Sequence, residues 1–162
     1  MLDAAEAVLT EQDPLVTTLE EIARAAGISR PLIHSYFGDR RGLIDAVQAR
    51  LVGRLDDWVA HGLSTATSPV ARVQALVHGV MAFVDQESDR WRLLCTSGGL
   101  DHPSMHRVRQ RWVARIIDDQ PELTVQAQAA VAAVIGAAGT WSSTGVDPVT
   151  ISRILASLLK ET

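Results

Sequence analysis

Six prolines cut this chain into segments, and three of them directly follow a residue able to cap a helix. Ser68-Pro69, His102-Pro103 and Asp147-Pro148 each set a capping side chain before a proline at the first helical position. There the missing N–H costs nothing and the fixed φ suits the helix. Pro31 falls one residue deeper after Ser29, still inside a first turn. Between these marks the apolar residues recur at helical spacing. Ile151, Ile154, Leu155, Leu158 and Leu159 follow an i, i+3, i+4, i+7, i+8 pattern, and Val70, Val73, Leu76, Val77, Val80 and Val84 follow it approximately. No segment shows the sustained alternation of a half-buried strand. The chain is therefore expected to be all-α, with about nine helices near residues 2–12, 18–25, 29–36, 40–61, 69–86, 88–96, 103–118, 122–139 and 148–160. Residues 62–69, GLSTATSP, read as the loop between an N-terminal three-helix unit, carried on the long fourth helix, and a larger C-terminal bundle.

An apolar share of 47% in 162 residues, with 21% charged, is a globular composition and excludes a disordered or low-complexity chain. No apolar run reaches the ~18–20 residues of a membrane span. The longest, Ala127 to Gly139, is alanine-rich and short, so no membrane partner is expected. The opening MLDAAEAVLTEQD is acidic and punctuated by polar residues, unlike a secretory signal. The single cysteine, Cys95, has no partner for an internal disulfide, which points to a reducing, cytoplasmic compartment. The net charge is −4, and residues 1–62 hold all of it, with six Arg against ten carboxylates.

Residues 17–37, TTLEEIARAAGISRPLIHSYF, carry the most specific pattern. Thr17 or Thr18 is placed to cap a short helix, with Glu20 or Glu21 closing a capping box. Leu19, Ile22, Ala23 and Ala26 form its inner face, Gly27 supplies a left-handed turn, and Ser29 caps the next helix. Ile33, Tyr36 and Phe37 are spaced to face inward from that second helix. Two short helices about a tight glycine turn make a helix-turn-helix, whose second helix lies in the DNA major groove with its N-terminal residues at base edges.

The run from Leu2 to about Val47 resembles the N-terminal domain of TetR-family transcriptional regulators. The family pattern is an LDAA helix, a TTV-x-x-IA-x-x-AGVS turn and an LY-x-YF-x-K-x-x-L exit, and here it reads LDAA, TTLEEIARAAGIS and LIHSYFGDRRGL. The resemblance implies a helix-turn-helix DNA-binding domain at residues 1–47 (the motif itself at 18–37) and a ligand-sensing, dimerising domain at 48–162. It implies a ligand-responsive repressor that binds a palindromic double-stranded DNA operator as a homodimer. Ser29, Arg30, Pro31, Leu32, His34 and Ser35 would form the reading face, and Thr18, Tyr36, Arg40 and Arg41 would stand at phosphates, which fix register without reading sequence. Arg30 suits guanine or phosphate, and Leu32 a thymine methyl. His34 departs from the family's Tyr and brings an imidazole that titrates near neutrality. The family usually carries a basic arm before the first helix, whereas this chain begins inside that helix. The expected binding is therefore weak and salt-sensitive, and the alternative reading is a ligand-binding or interaction protein on the same scaffold with little DNA affinity.

The last two helices look suited to packing on both sides. Ala129, Ala133 and Gly136 are small residues that permit close helix approach, and Ile151, Ile154 and Leu158 add an aliphatic stripe. The resemblance makes this pair a dimer interface. His78, Met81, Trp91, Cys95, Met105 and Trp112 are uncommon side chains that could line a pocket for a small apolar effector or simply fill the core. His102 and His106 are a poor metal pair because Pro103 sets His102 at a helix start, so neither metal nor cofactor is expected. Arg107, Arg111 and Arg115 form an i, i+4, i+8 stripe of the kind that usually faces solvent. Cys95 has no base beside it in sequence, and no catalytic spacing or phosphate loop is present, so the sequence makes no case for an enzyme.

Overall fold

The computed structural model describes residues 1–144 and 148–157, and among these every regular element is helical. In chain order the helices are α1 (Leu2–Glu11), α2 (Leu19–Ala25), α3 (Arg30–Phe37), α4 (Arg40–Thr65), α5 (Pro69–Gln86), α6 (Ser88–Thr96), α7 (Pro103–Ile117), α8 (Thr124–Thr144) and α9 (Pro148–Ser157). Short 3-10 turns at Gly99–Asp101 and Pro121–Leu123 precede α7 and α8. The prolines act as the sequence suggests: α5, α7 and α9 each begin on one.

Two expectations are corrected. The fourth helix runs to Thr65, so the expected loop at 62–69 shrinks to residues 66–68. Leu63 is buried and holds the added turn, while the Ser64 and Thr65 hydroxyls donate to the His61 carbonyl at 2.8 and 3.1 Å. The second correction concerns apolar length. Pro121–Thr140 has a mean hydropathy of 1.4 and is long and apolar enough to cross a membrane by length and composition alone, contrary to the sequence-based expectation. Averaging over Gln and Thr as well as Ala reveals a longer stretch than the unbroken run Ala127–Gly139. A helix that packs in a core passes the same test, so the signal is weak.

The chain forms two compact units. The first is Met1–Gly53 with Ser88–Met105. Its core holds Ala5, Val8 and Leu9 from α1, Ile22 and Ala23 from α2, Ile33 from α3, Leu43, Val47 and Leu51 from α4, and Trp91 and Leu94 from α6. The second takes Arg54–Glu87 with the described residues from His106 onward. There Val73, Leu76, Val77, Val80, Phe83 and Val84 bury one face of α5, which packs against both α8 and α9. Trp112 is fully buried on α7, and its indole N–H donates to the Asp56 carboxylate at 2.7 Å, which satisfies its polar atom. Asp56 also accepts from Arg111 at 2.5 Å, so one member of the expected arginine stripe is an anchor for α4.

Candidate nucleic-acid interface

Helix α2 starts on a complete capping box. The Thr18 hydroxyl accepts from the Glu21 N–H at 3.2 Å, and the Thr18 N–H donates to the Glu21 carboxylate at 2.7 Å. Of the alternatives the sequence left open, Thr18 and Glu21 are therefore the pair. Thr17 is buried instead, and its hydroxyl donates to the Asp13 carbonyl at 2.6 Å. The Thr18 backbone N–H, then its hydroxyl, hold the Glu21 carboxyl below its usual pKa of 4.5.

The turn after α2 is a Schellman motif. Gly27 sits at φ 63°, its N–H donates to the Arg24 carbonyl at 3.2 Å, and the Ile28 N–H donates to the Ala23 carbonyl at 2.9 Å. Helix α3 follows at once. Ser29 occupies its capping position but makes no side-chain capping bond, contrary to the sequence expectation. Pro31 lacks an N–H, so the first turn holds one donor fewer for a capping hydroxyl to satisfy.

Ile33 is the single fully buried side chain of α3. Arg30, Pro31, Leu32, His34, Ser35 and Tyr36 are all exposed. Tyr36 is a correction: it is 69% exposed rather than turned inward, and its ring leans on Phe37 at 6.4 Å between centroids. Phe37, half-buried, takes the inward position alone. Arg30 pairs across the turn with Glu20 of α2, which orients its guanidinium at the start of the reading face. His34 donates from Nδ1 to the Gly38 carbonyl, a bond that places the ring proton on that nitrogen.

Arg40, expected at a phosphate, makes its hydrogen bonds to backbone carbonyls within the protein. Its Nε–H donates to the Thr17 carbonyl at 2.7 Å and a terminal N–H to the Pro14 carbonyl, so it ties the α1–α2 loop to the head of α4. Arg41 is exposed and makes no ion pair among the described residues.

Sequence reasoning missed a buried charge. Glu6 of α1 is 3% exposed; its carboxylate meets Arg90 of α6 at 2.5 Å and Arg50 of α4 at 3.2 Å. The available signal was position: Glu6 lies three residues before buried Leu9 and beside buried Ala5, on the inner face of an amphipathic helix. Gln48, also buried, donates to the Ser97 carbonyl at 2.5 Å and gives α4 a second tie to the segment after α6.

The residues suggested for an effector pocket divide between the two units. Trp91, Cys95 and Met105 belong to the first unit, and His78, Met81 and Trp112 to the second. Trp91, Met81, Met105 and Trp112 are buried, Cys95 is half-buried, and His78 is exposed. Burial pushes the Cys95 thiol up to about 11. None of the six lines the groove of about 340 Å³ between α7 and α8 or the one of about 430 Å³ beside the α1–α2 loop. His102 starts α7 as expected, with Nδ1 accepting from the Ser104 N–H at 3.2 Å.

The residues assigned to self-association fall on an exposed strip. Ala129, Ala133 and Gly136 of α8 are exposed, flanked by Val125, Ala132 and Gly139, and Ile154 of α9 is 58% exposed. Ile151 is half-buried, and Leu158 lies outside the described residues.

Three short helices, a Schellman turn and a third helix with all but its inner residues in solvent define a helix-turn-helix head on an all-α frame. Residues 1–47 match the family model of bacterial regulatory proteins of the tetR family. The HTH-type transcriptional regulator BetI of Rhizobium meliloti is 40% identical over 77 residues, covering 48% of this chain and 38% of that protein. The chain thus spans well under half the length of that relative. The HTH-type transcriptional regulator AlkX of Mycobacterium tuberculosis is 28% identical over 159 residues, covering 98% of this chain and 70% of that protein. The crystal structure of a TetR-like transcriptional regulator from Rhodococcus sp. RHA1 shares the fold, with a TM-score of 0.68, 22% identity and coverage of 97% of this chain and 90% of that one. Residues 1–47 of this chain are thus a head of the tetR-family type, and the remainder shares the fold of such regulators.

Proposed function

We infer that this chain is a cytoplasmic, DNA-binding transcriptional regulator, acting as a ligand-responsive repressor and binding a palindromic operator as a homodimer. The observation that carries this reading is the surface of α3. Of its eight residues six are exposed, and they combine a cation, hydrogen-bonding groups and the aliphatic Leu32 on a helix anchored by Ile33. A helix held by Ile33 and half-buried Phe37, with its other six residues turned outward, is shaped to enter a groove.

In this reading Arg30, Leu32, His34 and Ser35 meet base edges, while Thr18, Tyr36 and Arg41 meet phosphates. Arg40 acts at one remove, through the loop it holds. The exposed strip of Ala129, Ala133 and Gly136 on α8, with Ile154 of α9, meets the same strip on a second copy. A two-fold pairing of that kind gives one reading helix per half-site. A small apolar effector acting on the second unit shifts the equilibrium between binding-competent and binding-incompetent states.

The test is selection of bound duplexes from a random pool at low salt. The expected product is an inverted repeat whose half-sites lie one helical turn, or a multiple of it, apart. No enrichment of any duplex would overturn the reading in favour of an interaction protein on this scaffold.

A further inference from the structure

The groove between α7 and α8 has a chemical polarity that neither helix needs for packing. One face of α7 lines it, with His106, Arg109 and Gln110 at the N-terminal end and Val113 and Ile117 beyond them, opposite Val131 of α8. From residue 106 to 117 that face is about 16 Å long at helical rise. Along α7, polar donors therefore occupy one end of an elongated groove and aliphatic carbon the other, while α8 adds Gln128 beside Val131 and Ala132. Its volume is about 340 Å³, and no carboxylate lines it.

Arg109 is the residue that asks for an occupant. Its Nε is buried and has no hydrogen-bond partner among the described residues. Arg111 and Arg72 of this unit are paired with Asp56 and Asp118, and Arg107 and Arg115 are exposed. A guanidinium is always charged and only donates, and with Nε closed off it is the terminal N–H groups that an occupant of the groove can meet. The acceptor that fits the planar fork best is an oxyanion with two oxygens.

We propose that this groove binds a carboxylate carrying an apolar chain of medium length. The carboxylate sits on Arg109, with His106 and Gln110 beside it, and the chain runs along Val113, Ile117 and Val131. Charge sets the direction: a neutral chain gains only the apolar half of the groove, and a short anion only the polar half. Gln128 and Ala132, which also line the groove, are exposed residues of α8 close to the proposed self-association strip. A second copy of the chain is therefore the competing occupant, and the test separates the two.

The probes are decanoate and decanol, titrated calorimetrically into the full chain, so that binding is read directly and independently of DNA. The expected result is one decanoate per chain, bound at least tenfold more tightly than decanol, as charge-assisted bonds of this kind give. Arg109→Gln is expected to erase that preference by weakening decanoate at least tenfold more than decanol. Ala114→Phe, at an exposed groove residue where the larger ring does not disturb the core, is expected to abolish both. Equal affinity for the two probes, or a preference that survives Arg109→Gln, overturns the proposal. So does absence of heat with either probe, the result expected when a second copy fills the groove.

Discussion

Arg40 donates its Nε–H to the carbonyl oxygen of Thr17 at 2.7 Å, one residue before the side chain that caps α2. The cation is thus committed to backbone and sets the angle at which α2 begins. Arg40→Ala is expected to cost about 1–2 kcal/mol, the scale of a charge-assisted bond lost with its acceptor half-buried. Faster amide exchange should appear at residues 15–18. If Arg40 instead served a phosphate, its removal would lower the salt slope of DNA binding by ~0.9. The expected slope change is near zero for Arg40→Ala and near 0.9 for Arg41→Ala, measured by titration across a salt series.

Glu6 joins three helices through one carboxylate, with Arg50 and Arg90 on its two oxygens. A buried ion cluster contributes little net stability against a hydrophobic substitute, but breaking one is costly because charges are left without partners. Both arginines are about a third exposed and can partly rehydrate. Glu6→Ala is therefore expected to destabilise by about 3 kcal/mol, the low end for a buried pair. Arg90→Ala should cost less, because Arg50 still faces the carboxylate. Urea midpoints of the two variants check the order, and a reversed order would mean that Glu6 is held chiefly by Arg90.

The helix limits were legible because caps and prolines are local: α5 and α6 fall at the expected residues, and the Thr18–Glu21 box and the Gly27 turn read directly from short patterns. What the chain hides is every feature made by residues far apart in sequence. Tyr36 is spaced like a core residue, yet Phe37 fills that place, and only the packing of α3 on α2 decides between neighbours. Arg40 looks like a free cation until the loop 23 residues earlier is brought beside it. Arg109 looks like any helical arginine, since nothing in the sequence reveals which donors end up without acceptors.

Gly42 and Gly53 both lie within α4 and make opposite predictions. A Cβ on Gly42 would sit 2.0 Å from the Phe37 carbonyl oxygen, a backbone atom at the end of the preceding helix that cannot swing away. A Cβ on Gly53 would meet nothing within 4 Å. Alanine ordinarily stabilises a helix interior over glycine by about 1 kcal/mol. Gly53→Ala is thus expected to raise the thermal midpoint, while Gly42→Ala lowers it and weakens the α3–α4 corner. Calorimetry on both variants decides it, and a gain at Gly42 would mean that the corner has slack.

Burial raises the Cys95 thiol from 9.0 to about 11. An acid whose folded pKa is raised keeps its proton where the unfolded chain has lost it. Its contribution to stability is thus unchanged below pH 9 and declines as pH climbs from about 9 toward 11. Reactivity follows the thiolate, so iodoacetamide at pH 8 should modify the folded chain about a hundredfold more slowly than the same chain in urea. A folded-state rate within a few-fold of the unfolded one would show a thiol far more ionised than its surroundings permit.

Ala133 lies on α8 in the exposed strip with Ala129 and Gly136, and small side chains there let two helices approach closely. A carboxylate at that position would be carried into the centre of a self-complementary contact, where the two-fold places it near its own copy. Burying paired like charges is unfavourable on two counts, desolvation and repulsion. Ala133→Asp is therefore expected to leave the isolated fold intact, because the position is exposed within one chain, and to shift the species in solution to a single 17.5 kDa chain. Circular dichroism confirms the fold, and size-exclusion with light scattering reads the mass. DNA retention should fall in the same variant, since a lone head covers only one half-site. An unaltered mass would place the contact elsewhere, and a wild-type chain that is already monomeric at micromolar concentration would remove the two-fold from the proposed mechanism altogether.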